Sequence, residues 1–269
     1  MFTKIYYINL DRRIDRNDHV LEQLEKINYK GDVERINAVD AKKLNYDLIP
    51  KSLITEKGVN DALNKNQKVG VPLTKGAIGC ALSHKIVFEK ILYGDDEYVL
   101  IIEDDIKFDN NFNEKLKNIF SKVPDFDVLY LGYSLKKNIS TNEVISDLFN
   151  YVPDGTVHGT FGYIINKKAA SKMIDVFPIT LQVDTEISTV FPKLKVYTLI
   201  QSERIILSDD SSLDSQFSTD IQRRDDILSN DAVIIISNNS LLEYPSNILL
   251  LIVIHILILC IIYYVFLKK

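Results

Sequence analysis

Three consecutive acids, Glu103-Asp104-Asp105, directly follow the apolar run Tyr98-Val99-Leu100-Ile101-Ile102. Like charges crowded at the end of a buried strand are costly, and a bound cation is the common way to neutralise them. Oxygen donors suit Mg²⁺ or Mn²⁺, ions that also bind diphosphates. Side chains of an extended segment alternate, which places Glu103 and Asp105 on one side and Asp104 on the other. On that reading Glu103 and Asp105 share a metal while Asp104 reaches a sugar or ribose hydroxyl. The triplet also reads as a solvated acidic turn that merely caps the strand. Two other acidic pairs, Asp209-Asp210 and Asp225-Asp226, have no preceding strand and read as surface.

Other chemistry-bearing residues are few. The histidines are His19, His84, His158 and His255. His84 lies on a mostly apolar helix face and reads more readily as a satisfied core residue than as a catalytic one. Cys80 and Cys260 are far apart in unlike contexts, so no disulfide framework or cysteine-based zinc site is expected from them. A two-metal phosphoesterase, which recruits several His and Asp ligands, is poorly supplied.

The elements that position the triplet emerge from periodicity. Ile5 to Leu10 reads as a buried strand, and Ile14, Leu21, Leu24 and Ile27 recur at helical spacing after it. A second strand is expected over Val33 to Val39. Residues 40 to 75 are polar with little periodicity and read as a surface excursion. Gly76 to Tyr93 predicts a helix buried on a wide face. Further strands are expected at Tyr98–Ile102, Phe126–Leu131, Tyr163–Ile165 and Val196–Ile200, with a helix from Lys168 to Val176. Strands alternating with helices predict an α/β domain with a mainly parallel central sheet. In such sheets ligands sit beyond the carboxyl ends of the strands, where the triplet lies.

The chain has 269 residues, 46% hydrophobic and 26% charged, which is globular composition. Its net charge is −5, an acidic balance that does not suit a nucleic-acid binder. Ile248 to Leu267 carries no charge, and at about 1.5 Å per residue it matches a bilayer's hydrocarbon core. It is expected to be a transmembrane helix, with residues 226–247 as a closing segment and stalk and 1–225 as the catalytic domain. The apolar run at the N-terminus is too short for a signal peptide, which favours a cytosol-facing body; Lys268 and Lys269 point the other way. The sequons Asn138-Ile139-Ser140 and Asn238-Asn239-Ser240 matter only for a lumenal body.

Several segments together resemble glycosyltransferase family 25, which includes lipooligosaccharide and procollagen galactosyltransferases. Ile8-Asn9-Leu10-Asp11-Arg12-Arg13-Ile14-Asp15-Arg16 resembles its opening and Arg35-Ile36-Asn37-Ala38-Val39-Asp40 its second block. Leu73 to His84, ending in Ser83-His84, is similar to the third. Ile101-Ile102-Glu103-Asp104-Asp105 matches the acidic block. Gly159-Thr160-Phe161-Gly162-Tyr163 with Ala169-Ala170, then Val183-Asp184, then Gln216 with Ser218 to Ile221 resemble the later ones. Ala77 stands where the family usually has Glu.

The resemblance implies a nucleotide-sugar-binding fold of the GT-A type, a divalent cation (Mn²⁺ or Mg²⁺), and transfer with inversion from a UDP-hexose, galactose or glucose, to a glycan, glycolipid or protein hydroxyl. Within it Glu103 and Asp105 are the expected metal ligands. Asp184 is the first candidate for the general base, with Glu186 second; Asp184 reads equally as a cap of the following turn. Asn9, Arg16, Asp104 and Thr160 are expected at the donor. Arg16 also reads as a surface ion pair, and Thr160 as a strand start. The rival reading is a catalytically inactive, glycosyltransferase-like membrane protein that binds glycans.

Overall fold

Ile5, Tyr6, Tyr7 and Ile8 are all buried, so the first strand is covered on both faces. The computed structural model of the chain describes residues 2–64, 73–134 and 143–208. The strands are β1 (Lys4–Asn9), β2 (Asp32–Asn37), β3 (Tyr98–Glu103), β4 (Ile106–Phe108), β5 (Val128–Gly132), β6 (Glu143–Val144), β7 (Phe149–Tyr151), β8 (Gly162–Asn166), β9 (Val196–Leu199) and β10 (Ile206–Ser208). The helices are α1 (Ile14–Lys26), α2 (Glu56–Leu63), α3 (Lys75–Tyr93), α4 (Phe112–Lys122), α5 (Lys167–Ile174) and α6 (Val183–Ser188).

The main sheet has the order β2-β1-β3-β8-β5-β9-β7-β6, and β4 pairs separately with β10. β1 is parallel to both β2 and β3, and β5 to β9. β8 runs antiparallel between β3 and β5, and β7 antiparallel to β9. The α/β layering and the mainly parallel sheet are as expected; the sheet is mixed in that β7 and β8 run against the other strands. Single strands look alike in sequence whichever way they run, because alternation and burial do not encode direction.

Val20 and Leu24 of α1 and Phe112, Leu116 and Ile119 of α4 share a core with Ile5, Tyr7, Leu100, Ile102, Leu129 and Ile164. On the opposite face α3 packs against α5, β1 and β2. α3 is buried nearly all round, and its start is capped by Thr74, whose hydroxyl accepts from Ala77 N–H at 3.1 Å. Gly79 lets α3 approach the loop after β2: a Cβ there would lie 2.6 Å from the Val39 carbonyl oxygen.

Residues 40 to 64 are not a loose excursion. Two 3₁₀ turns, capped by Asp40 and Asn45, lead into α2, capped by Thr55. Leu44, Tyr46, Ile49, Leu53 and Ile54 are buried, and Ile54 bridges to Ile179. Isolated apolar residues spaced by 3₁₀ turns leave no helical or strand period to read.

Asp127 fastens the sheet below β5. Its carboxylate accepts from Asn166 Nδ2 at 3.0 Å, Lys168 Nζ at 2.7 Å and Lys195 N–H at 2.9 Å. Burial pushes its pKa up, but these hydrogen bonds outweigh that and hold the carboxyl below the usual range. A depressed folded pKa adds stability that is present above the unfolded value, 3.8, and lost as pH falls through the lower folded value. Asp127→Ala is therefore expected to lower unfolding free energy by about 1–3 kcal/mol at pH 7. Urea denaturation measures this, and the deficit shrinks at acidic pH.

The stalk, the span Ile248–Leu267, both sequons, the two downstream acidic pairs, and Gln216 to Ile221 lie outside the described residues. Among the described residues no helix is long and apolar enough to cross a membrane.

Candidate active site

β1 leads through α1 outward to β2, whereas the chain after β2 returns across β1 to β3. The strand order thus reverses beside β1, and the crevice beyond the carboxyl ends of β1 and β3 is where such sheets receive ligands. A cavity of about 90 Å³ lies there. Glu103, Asp104 and Asp105 all line it, facing Arg12, Lys42 and the Gly79–His84 stretch of α3. A lone acidic cap in bulk water does not describe them: Asp104 and Asp105 are buried.

The chain turns immediately after Glu103, so the simple alternation of an extended segment does not apply. Asp104 Oδ1 accepts from Arg16 Nη1 at 2.7 Å and its Oδ2 from Asn9 Nδ2 at 2.8 Å. Asp105 Oδ2 lies 3.5 Å from the same Arg16 nitrogen. The two aspartates therefore share one guanidinium. Glu103 goes elsewhere: its Oε1 accepts from Thr160 Oγ1 at 2.8 Å and lies 3.2 Å from His84 Nε2. The expected alternation, Asp104 opposite Glu103 and Asp105, is corrected: the turn re-aims Asp104 and Asp105 to one guanidinium, while Glu103 and Asp105 line the same cavity.

Arg16 is 6% exposed, so it is not a surface ion pair. It spans 88 residues of sequence to reach Asp104 and neutralises the aspartates from beneath. Asn9 is spent on structure too. Its Nδ2 also donates to the Arg13 carbonyl at 3.0 Å, and its Oδ1 accepts from Arg35 Nη2 at 2.7 Å. Both residues, expected at the donor, hold Asp104 in place. Asp104 has both oxygens engaged, and burial pushes its carboxyl upward despite Arg16 and Asn9. Burial likewise pulls Glu103 up, but the His84 and Thr160 hydrogen bonds outweigh it and the acid ends below the usual range. Crowded, partly desolvated carboxylates that share a cavity fit a hard divalent cation, and their oxygens are the donors such a cation takes.

The loop before β8 brings Thr160 to Glu103 and His158 to Asp184. Asp184 Oδ2 accepts from Gly159 N–H at 3.2 Å and lies 3.4 Å from His158 Nδ1; its Oδ1 accepts from Thr185 N–H at 2.7 Å. Gly159 has φ +89°, a conformation that favours glycine. Burial raises Asp184, yet His158 and the two amides hold the carboxyl below the ordinary range. The α6 N-cap is Gln182, so Asp184 is not the cap of the turn. Glu186, the second candidate for the base, accepts from the amides of Thr180 and Leu181 at 2.6 and 2.7 Å, which fixes the entry to α6.

Sequence reasoning missed Arg12, Lys42, Cys80 and His158, and read His84 as core. Arg12, paired with Asp40 at 3.0 Å, and Lys42 line the basic side of the cavity. Cys80 and His84 line its floor. The available signal for the last two was their spacing of four on α3, which puts them on one helix face.

The matching family profile covers residues 2–187, described as "Glycosyltransferase family 25 (LPS biosynthesis protein)". The chain belongs to glycosyltransferase family 25. Within the family it is 31% identical to human procollagen galactosyltransferase 2 over 183 residues, 66% of this chain and 28% of that protein. It is 30% identical over 192 residues to bovine "Probable inactive glycosyltransferase 25 family member 3", covering 66% of this chain and 29% of that protein. The chain thus spans less than a third of the length of these relatives. Among solved structures, the glycosyltransferase GlyE of Streptococcus pneumoniae TIGR4 superposes with a TM-score of 0.42 at 11% identity, over 81% of this chain and 57% of that one. All the site residues named above, Asn9 through Glu186, fall inside the family 25 match.

Proposed function

We propose that this family 25 chain is an inverting glycosyltransferase of the GT-A type. It moves a hexose, galactose or glucose, from a UDP-sugar to a hydroxyl of a glycan, glycolipid or protein. The observation that carries the reading is the convergence of Glu103, Asp104 and Asp105 on one cavity at the sheet's switch point. Glu103 and Asp105 would hold a divalent cation, Mn²⁺ or Mg²⁺, which would supply positive charge to the departing diphosphate.

The chain's own residues do the rest. Arg12 and Lys42 face the diphosphate from the basic wall of the cavity. Arg16 and Asn9 keep Asp104 oriented, and Thr160 fixes Glu103. The acceptor oxygen attacks the anomeric carbon from the side opposite the leaving group. The bond from that carbon to the β-phosphate oxygen breaks, and its electron pair leaves with UDP. The acceptor proton passes to the Asp184–His158 pair, the carboxylate orienting the imidazole that takes it. The role expected of Asp184 alone is shared because both its oxygens already accept backbone N–H groups. The uncharged run Ile248–Leu267 supports attachment of the chain to a membrane.

The test uses the 269-residue chain in detergent with a panel of UDP-sugars. Release of UDP from a UDP-hexose is expected with Mn²⁺ and an acceptor, and its loss on adding a chelator. Binding of glycans with no UDP release from any donor would instead favour the inactive reading, for which the bovine relative's name is a precedent.

A further inference from the structure

We propose that Cys80, His84 and Glu103 form a second site, for a borderline-soft divalent cation, Zn²⁺ in the first instance, which overlaps the all-oxygen position of the acidic triplet at Glu103. One donor atom from each of the three lies within 4.8 Å of the others. Cys80 and His84 project from successive turns of α3, and Glu103 meets them from the end of β3. His84 Nε2 and Glu103 Oε1 are 3.2 Å apart. Two ligands of a tetrahedral zinc with bonds of about 2.0–2.1 Å stand about 3.3 Å apart, so that pair already has the required separation.

The surroundings are those of a metal site. His84 Nδ1 lies 2.8 Å from Tyr163 Oη, which orients the ring, and Thr160 Oγ1 holds Glu103. Such outer partners set ligand tautomer and direction. All three ligands line the cavity, which leaves an entry route and an open fourth position. A thiolate with an imidazole selects zinc over magnesium or manganese. On binding, the Cys80 thiol proton is released to solvent. The imidazole hydrogen, which Nε2 directs at Glu103 in the metal-free site, moves to Nδ1 and is donated to Tyr163 Oη, so that Nε2 of the neutral ring coordinates. Glu103 cannot serve both ions, so zinc inhibits transfer; that consequence alone depends on the proposed activity.

The full chain titrated with Co²⁺, a spectroscopic stand-in for Zn²⁺, tests the site whether or not it transfers sugar. Intense visible bands of tetrahedral cobalt with a thiolate-to-cobalt charge-transfer band are expected, and Zn²⁺ abolishes both. Cys260→Ser keeps the charge-transfer band and Cys80→Ser loses it. A weak octahedral spectrum in the unmodified chain, or a charge-transfer band that survives Cys80→Ser, overturns the proposal. Should Cys80→Ser not fold, alkylation of the unmodified chain decides: Zn²⁺ is expected to slow modification of Cys80, because a coordinated thiolate is withdrawn from attack, and equal rates overturn it.

Discussion

Asp105→Asn is expected to lower sugar transfer at least about a thousandfold while the chain stays folded. The substitution removes one anionic ligand and keeps its shape. Arg16 remains paired with Asp104 at 2.7 Å, so no buried guanidinium is stranded. Folding is therefore preserved where a deletion of Asp104 would not preserve it. UDP release across a Mn²⁺ titration, with thermal denaturation alongside, measures both parts. Full activity in the variant, insensitive to added or chelated metal, would remove Asp105 from cation binding.

The second large effect concerns the base. Asp184→Ala and His158→Ala are each expected to reduce transfer by about 10²–10⁴-fold. The double variant is expected to be no slower than the worse single one, because groups that act as a unit do not add. Donor affinity separates catalysis from architecture here. Asp184 also holds Gly159 N–H, one residue before Thr160, so a purely structural role disturbs the Glu103 end of the cavity. UDP-sugar binding by calorimetry is expected to change little in either single variant. Parallel losses of binding and transfer would assign the pair to structure.

These two predictions differ in how far the sequence anticipates them. Asp105 is conspicuous because a charge cluster abuts a strand whose central residues, Val99 to Ile102, are apolar and buried. His158 has no such context: it lies in a loop, 26 residues from Asp184, and nothing in its neighbours marks it. Arg16 is misleading in sequence. On an amphipathic helix an arginine reads as solvated, and only the turn after Glu103 brings two carboxylates over it.

What the sequence by itself determined is local: β1, α1, α3 and β3, the acidic end of β3, and membership of the chain's motifs in one family. Each rests on burial and periodicity over a few residues, or on residue types at short spacing. The tertiary structure alone decided that β8 enters antiparallel between β3 and β5, carrying Thr160 and Tyr163 to Glu103 and His84. It also split the triplet between Arg16 and the α3 face, and turned a lone cysteine into a neighbour of two metal-ligating groups. The physical reason is that strand order and direction are set by packing among elements far apart in the chain. A residue's own neighbours carry its burial, and they carry nothing of which distant side chain will share it.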